Sequence, residues 1–182
     1  MDRSPWHAGE KQLQAHVGVA ERMDTLGRRV IRGEMPDQHR QFYQQLPFML
    51  YGAVDADGNP WASVLEGPPG FAHSPAPALL QFDSLPGSDD PAQLQDGAAI
   101  GLLGIELHTR RRNRMNGRVG AVTSSGFGVT VDQSFGNCPQ YIQLRQFRSV
   151  PLADPSTRVA QHLNALDDAA QAMIAGDRKS VV

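Results

Sequence analysis

HTRRRNRMNGRVG, residues 108–120, is the stretch on which the reading of this chain turns. Five of the nine residues from Arg110 to Arg118 are arginine, yet the 182-residue chain carries a formal net charge of −2. The stretch reads as a long strand running through Val122. Side chains on a strand alternate faces, which predicts Arg110, Arg112, Arg114, Asn116 and Arg118 on one side and Arg111, Asn113, Met115 and Val119 on the other. Guanidinium groups so aligned repel one another unless carboxylates or a bound anion relieve them, and arginine's planar fork suits a phosphate. Three readings stay open at this level: a solvated edge that discourages aggregation, a patch for nucleic acid, or a site for one small phosphorylated ligand.

The flanking segments set that strand in a β context. AAIGLLGIEL, residues 98–107, is an apolar run of strand length that reads as buried on both faces. SSG turns the chain, and FGVTVDQSFG then alternates Phe127, Val129 and Val131 on one face. YIQLRQF, residues 141–147, reads as a further strand. Upstream, Phe48–Val54 and WASVLEG flank DADGNP, whose Asp57-Gly58 pair marks a hairpin turn. GPPGF breaks the chain, PALLQFD reads as a third strand, and residues 84–97 read as a polar loop.

Helices are predicted at the two ends. Leu13, Val17 and Ala20 give residues 8–26 a helical period with Gly27 as the stop, and Pro36 opens a short helix with Phe42 and Leu46 on its apolar side. Ser156 is the expected N-cap of a last helix carrying Val159, Leu163, Leu166 and Met173. Six or seven short strands between terminal helices imply a mainly β chain built as an antiparallel barrel rather than βαβ units. The expected organisation is an N-terminal helical segment over 1–46, a barrel over 47–150, and a linker with a C-terminal helix over 151–182.

Composition narrows the function classes. A pI near 6.3 argues against a nucleic-acid binder, which is basic across a whole face. The absence of an apolar run of membrane-spanning length predicts no membrane span. The single Cys138 cannot form an internal disulfide, so a reducing cytoplasm is the simplest compartment. Cys138 reads as a small buried apolar residue rather than a nucleophile. Asp37 and His39, two apart on a helix, do not face each other. No metal is predicted, because the six histidines lack metal-site spacing; P-loop, nucleophile-elbow and dinucleotide-binding patterns are missing as well. A protein with an anion site but few independently reactive side chains can take its chemistry from an organic cofactor.

GNPWASVLEG, LLQFDS, GLLGIEL and RRRNRMNGRV, in this order, resemble the core of the pyridoxamine 5′-phosphate oxidase-like FMN-binding split barrels. SPWHAGE, MPDQHRQFYQQLPF and DQSFGNCPQYIQ are similar to a bacterial flavin-nucleotide-binding subgroup of that family. The resemblance spans about residues 4–150. It implies a six-stranded antiparallel Greek-key split barrel, a homodimer with FMN in a cleft between subunits, and a role as an oxidoreductase of unknown substrate, with a redox partner domain or protein. By position it implies Trp61, Ala62, Ser63 and Val64 beside the ring, Phe82, Asp83 and Ser84 near the ribityl phosphate, and Arg112, Arg114 and Asn116 on the flavin-facing strand. It implies no catalytic side chain. The oxidases carry basic residues where this chain has Trp61 and Glu66, and again after the serine, where it has Leu85 and Pro86. Their C-terminal substrate residues have no counterpart here, so pyridoxamine phosphate oxidation itself is not expected. The alternative is a binding or interaction domain that has lost FMN or holds haem or a deazaflavin.

Overall fold

The structure, a computed structural model, describes residues 4–88, 90–92, 94–148, 150 and 164–176. Three helices precede the sheet: α1 (Ala8–His16), α2 (Ala20–Val30) and α3 (Asp37–Gln44). Seven strands follow: β1 (Phe48–Val54), β2 (Pro60–Glu66), β3 (Ala72–Ala76), β4 (Leu79–Phe82), β5 (Ala99–Glu106), β6 (Arg111–Gly120) and β7 (Phe127–Gly136). They form one antiparallel sheet in the order β2-β1-β5-β6-β7-β4-β3. The strand count is thus seven rather than six, and no ladder joins the edges β2 and β3. The chain just beyond β4 reaches the end of β2, where Ser84 Oγ donates to the Glu66 carbonyl at 3.2 Å.

The differences from the sequence reading have local causes. The helix expected over 8–26 is two helices, split at Gly18, whose φ of 72° no helix accepts. Gly27 does not end α2; it lies inside it, where the Trp6 indole packs so closely that a Cβ would sit 2.6 Å from Nε1. β3 contains Pro75, which argues against a strand, but β3 is an edge and needs no ladder hydrogen bond on its free side. Residues 141–147 are not a strand, although their residue types suit one. β7 is already paired with β6 and β4, so the chain leaving it has no free neighbouring edge.

One core fills the sheet's inner face. Met49 and Tyr51 of β1, Leu65 of β2, Leu80 and Phe82 of β4, Ile100 and Leu102 of β5, Met115 and Val119 of β6 and Phe127 and Val129 of β7 are all buried. Phe82 stacks on Phe127, with centroids 4.8 Å apart and planes 14° apart. Helix α3 closes one end with Phe42 and Tyr43, and Leu46 follows it. A Cβ on Gly104 would lie 2.8 Å from both Phe42 and Leu46, so the glycine lets the helix approach the sheet. His39 of α3 is buried, and its Nδ1 lies 3.0 Å from Ser134 Oγ of β7. Ser134 also exchanges backbone hydrogen bonds with Arg32, tying the end of the N-terminal helices to the sheet.

Residues 4–146 belong to this unit, and a second unit begins at Phe147. Its described helix is α4 (Asp168–Gly176), where Asp167 Oδ1 accepts from Ala170 N at 2.8 Å as the cap. The expected cap Ser156, with Val159 and Leu163, lies outside the described residues. Among the described residues no helix is long and apolar enough to cross a membrane.

Candidate functional site

Strand β6 sorts its side chains as alternation requires. Asn113, Met115 and Val119 turn into the core, while Arg114 and Arg118 are exposed and Arg112 and Asn116 half-buried on the outer face. Arg110 departs from the pattern. It sits in the turn between β5 and β6 with φ of 58°, so the aligned arginines are three, not four. Register then builds rows across the outer face. Ala62 pairs with Gly52, Gly52 with Gly101, and Gly101 with Asn116. One step along lie Val64, Leu50, Leu103 and Arg114.

The first row carries a shallow cavity of about 400 Å³, lined among others by Gly52, Trp61, Gly101, Asn116 and Asp132. Its floor is backbone because two neighbouring strands both place glycine there. A Cβ on Gly101 would lie 3.5 Å from Asn116 Oδ1, and one on Gly52 would lie 3.7 Å from the Trp61 carbonyl. These are ordinary contacts, so the sheet tolerates side chains at both positions, but they would fill the floor. Asp132 reaches the cavity because β7 carries a bulge opposite the Asn116–Gly117 step.

The arginines have separate duties. Arg111 lies over the Phe42 ring, 5.0 Å from its centroid. Arg118 pairs with Asp132 at 3.7 Å. Arg112 Nη2 donates to the Cys138 carbonyl at 2.5 Å, while its buried Nε has no partner among the described residues. Of the three outer-face arginines of β6, Arg114 is the one that makes no hydrogen bond or ion pair among the described residues. It lies two residues, about 7 Å, along β6 from Asn116 on the same face.

The other residues expected at a site are distributed unevenly. Trp61 is at the cavity wall, and its indole N–H donates to Asp55 Oδ2 at 2.7 Å. That bond, with the amides of Asn59 and Asp57, holds the Asp55 carboxyl down at about 2. Ala62 and Val64 are on the outer face. Ser63 is on the inner face, where it and Tyr51 both donate to Asp90 Oδ2; burial, together with Tyr51's own bond to Asp90, pushes the Tyr51 hydroxyl's pKa up. Phe82 is wholly buried in the core. Asp83 faces His73 at 3.5 Å, and Ser84 is held by the Glu66 carbonyl. Phe82, Asp83 and Ser84 do not line the cavity. Cys138, expected to be buried, is exposed.

Gly52, Gly101, Asp132 and Gln133 are the residues that sequence reasoning passed over. Glycine inside two strands was a usable signal, because it marks close approach of another group to the backbone. The bulge that brings up Asp132 and Gln133 has no signature in FGVTVDQSFG.

These features describe an antiparallel, mainly β sheet with flanking helices and a shallow cavity on its outer face. A family model described as pyridoxamine 5′-phosphate oxidase matches residues 35–153. The chain belongs to that family. No curated protein matches it. Among solved structures it is similar to a candidate pyridoxamine 5′-phosphate oxidase from Lactobacillus delbrueckii, with 15% identity over 57% of this chain and 95% of that one, at a TM-score of 0.44. HupZ of Group A Streptococcus is also similar, with 11% identity, 62% and 100% coverage, and a TM-score of 0.46.

Proposed function

We propose that this chain binds FMN along the outer face of β6 and serves as a flavin-dependent oxidoreductase of the split-barrel type. The observation that carries the reading is Arg114, an exposed guanidinium without a partner among the described residues, set about 7 Å along β6 from Asn116, which pairs with Gly101 of the glycine floor. The floor suits a flat ring, and the exposed Arg114 guanidinium suits a phosphate. Bound FMN would supply the redox chemistry. The chain's own residues would orient the ring through Asn116 and edge it with the Trp61 backbone and the outer-face Ala62.

Leu50, Val64 and Leu103 lie in the same row as Arg114, and Val64 is 45% exposed. A second copy lying on this apolar strip would bury it and roof the hollow, which supports a homodimer with the cofactor in its seam. Ser63 and Phe82 would act through the fold rather than by touching the ligand; Asp83 and Ser84 would reach it only from the partner copy. Purified chain should be yellow or become so with added FMN. Protein that stays colourless and does not bind added FMN would end the proposal.

Trp61 and the exposed Glu66, standing where the oxidases are basic, favour a second reading in which the barrel holds a less anionic cofactor such as haem. Binding of haem with no binding of FMN would select it.

A further inference from the structure

Asn116 sits at the end of a hydrogen-bond relay that fixes which way its amide points. Gln133 Nε2 donates to the Pro5 carbonyl at 3.1 Å, and Asn116 Nδ2 donates to Gln133 Oε1 at 2.9 Å. A backbone carbonyl can only accept, so it forces the NH₂ of Gln133 toward itself and the oxygen of Gln133 toward Asn116. Gln133 in turn forces the NH₂ of Asn116 toward β7. Asn116 Oδ1 is thereby left as a bare acceptor, 3.5 Å from where a Gly101 Cβ would stand, over the floor of the hollow. Among the described residues nothing donates to it. The anchor is firm: Trp6, next to Pro5, donates its indole N–H to the Met23 carbonyl at 2.9 Å and packs on Gly27.

We infer that the Pro5–Gln133–Asn116 relay is a specificity device, which makes the hollow select a flat heterocycle presenting a ring N–H at its edge. The inference rests on the proposed flavin reading for the identity of the ring, but not for the direction of the amide. Asn116 is the residue that touches the ligand, and Gln133 positions it. An acceptor that a bound ring covers discriminates against an analogue that cannot donate, because covering it takes away its water and leaves it unpaired.

The full chain is titrated with FMN and with its N3-methyl analogue, followed by flavin fluorescence. Wild type should prefer FMN by about tenfold or more. Gln133→Leu frees the Asn116 amide to turn and should bring that ratio close to one. Gln133→Glu still accepts from Asn116 Nδ2 and should keep the preference, although it too loses the donor to Pro5. A merely structural tether would fail equally in both variants. Equal binding of the two flavins by wild type, or an unchanged ratio in Gln133→Leu, overturns the inference. Uracil against 1,3-dimethyluracil separates the two failures. Discrimination there without FMN binding sinks the flavin reading and leaves the relay standing. No discrimination in either series removes the relay.

Discussion

The two faces of β6 are made from one ten-residue segment and answer to different demands. On the inner face Met115 is fully buried, and Val119 beside it is 3% exposed. On the outer face Arg114 is exposed and Asn116 stands over a backbone floor. Burial rewards shape and volume on one side, and open charge awaits a partner on the other. The comparison teaches that a strand can specify a fold and a ligand at once, because its two-residue period keeps the two sets of side chains apart.

Substitutions on the inner face should strike stability hardest. Phe82→Ala, which empties the aromatic stack against Phe127, should cost about 3–5 kcal/mol, read from the midpoint of denaturant unfolding. Met115→Ala should cost about 2–5 kcal/mol by the same measurement. A loss under about 1 kcal/mol in both would mean that the inner face is not the packed core described, since buried truncations of this size do not relax away completely. Gly101→Ala, on the outer side of the adjacent strand, should leave the unfolding midpoint nearly unchanged yet abolish binding of a flat ring. Such a result would sharpen the division between the faces.

A smaller effect should come from His39. Burial, reinforced by Arg32 and Arg111, holds its pKa below the usual histidine value, so the folded protein keeps it neutral. The group facing its ring is Ser134, which carries no charge. Its stabilising contribution is present above about pH 6.5 and is lost as pH falls through the lower folded value. His39→Gln should flatten that part of the stability profile, and a profile unchanged by the substitution would remove His39 as its source. The smallest effect should be seen in Trp61→Phe, which deletes the indole donor to Asp55. The Asp55 carboxyl should then titrate above its present value of about 2, a change readable by NMR with little change in unfolding.

The sequence made this division legible where period and residue type agree. Arg112, Arg114 and Asn116 fall on one face, and Met115 and Val119 on the other, as alternation alone requires. The hairpin across Asp57-Gly58 was equally readable, because that turn demands glycine at a φ of 87°. What stayed hidden depends on contacts distant in the chain. Arg110 falls outside the strand because the β5–β6 turn consumes it. Ser63 and Phe82 face inward, toward Asp90 and Phe127, which no short motif announces. The relay joins residues 128 apart in the chain, and no local pattern in either segment could have revealed it.

The most direct measurement compares FMN binding and unfolding midpoint in wild type and Arg114→Ala. Arg114 bonds to nothing among the described residues, so the midpoint should stay within about 0.5 kcal/mol of wild type. FMN affinity should fall about tenfold or more, as expected when a charge-assisted contact to phosphate is lost. Unchanged FMN affinity in Arg114→Ala, or a wild type that does not bind FMN, would contradict the assignment of this face to a phosphorylated ligand.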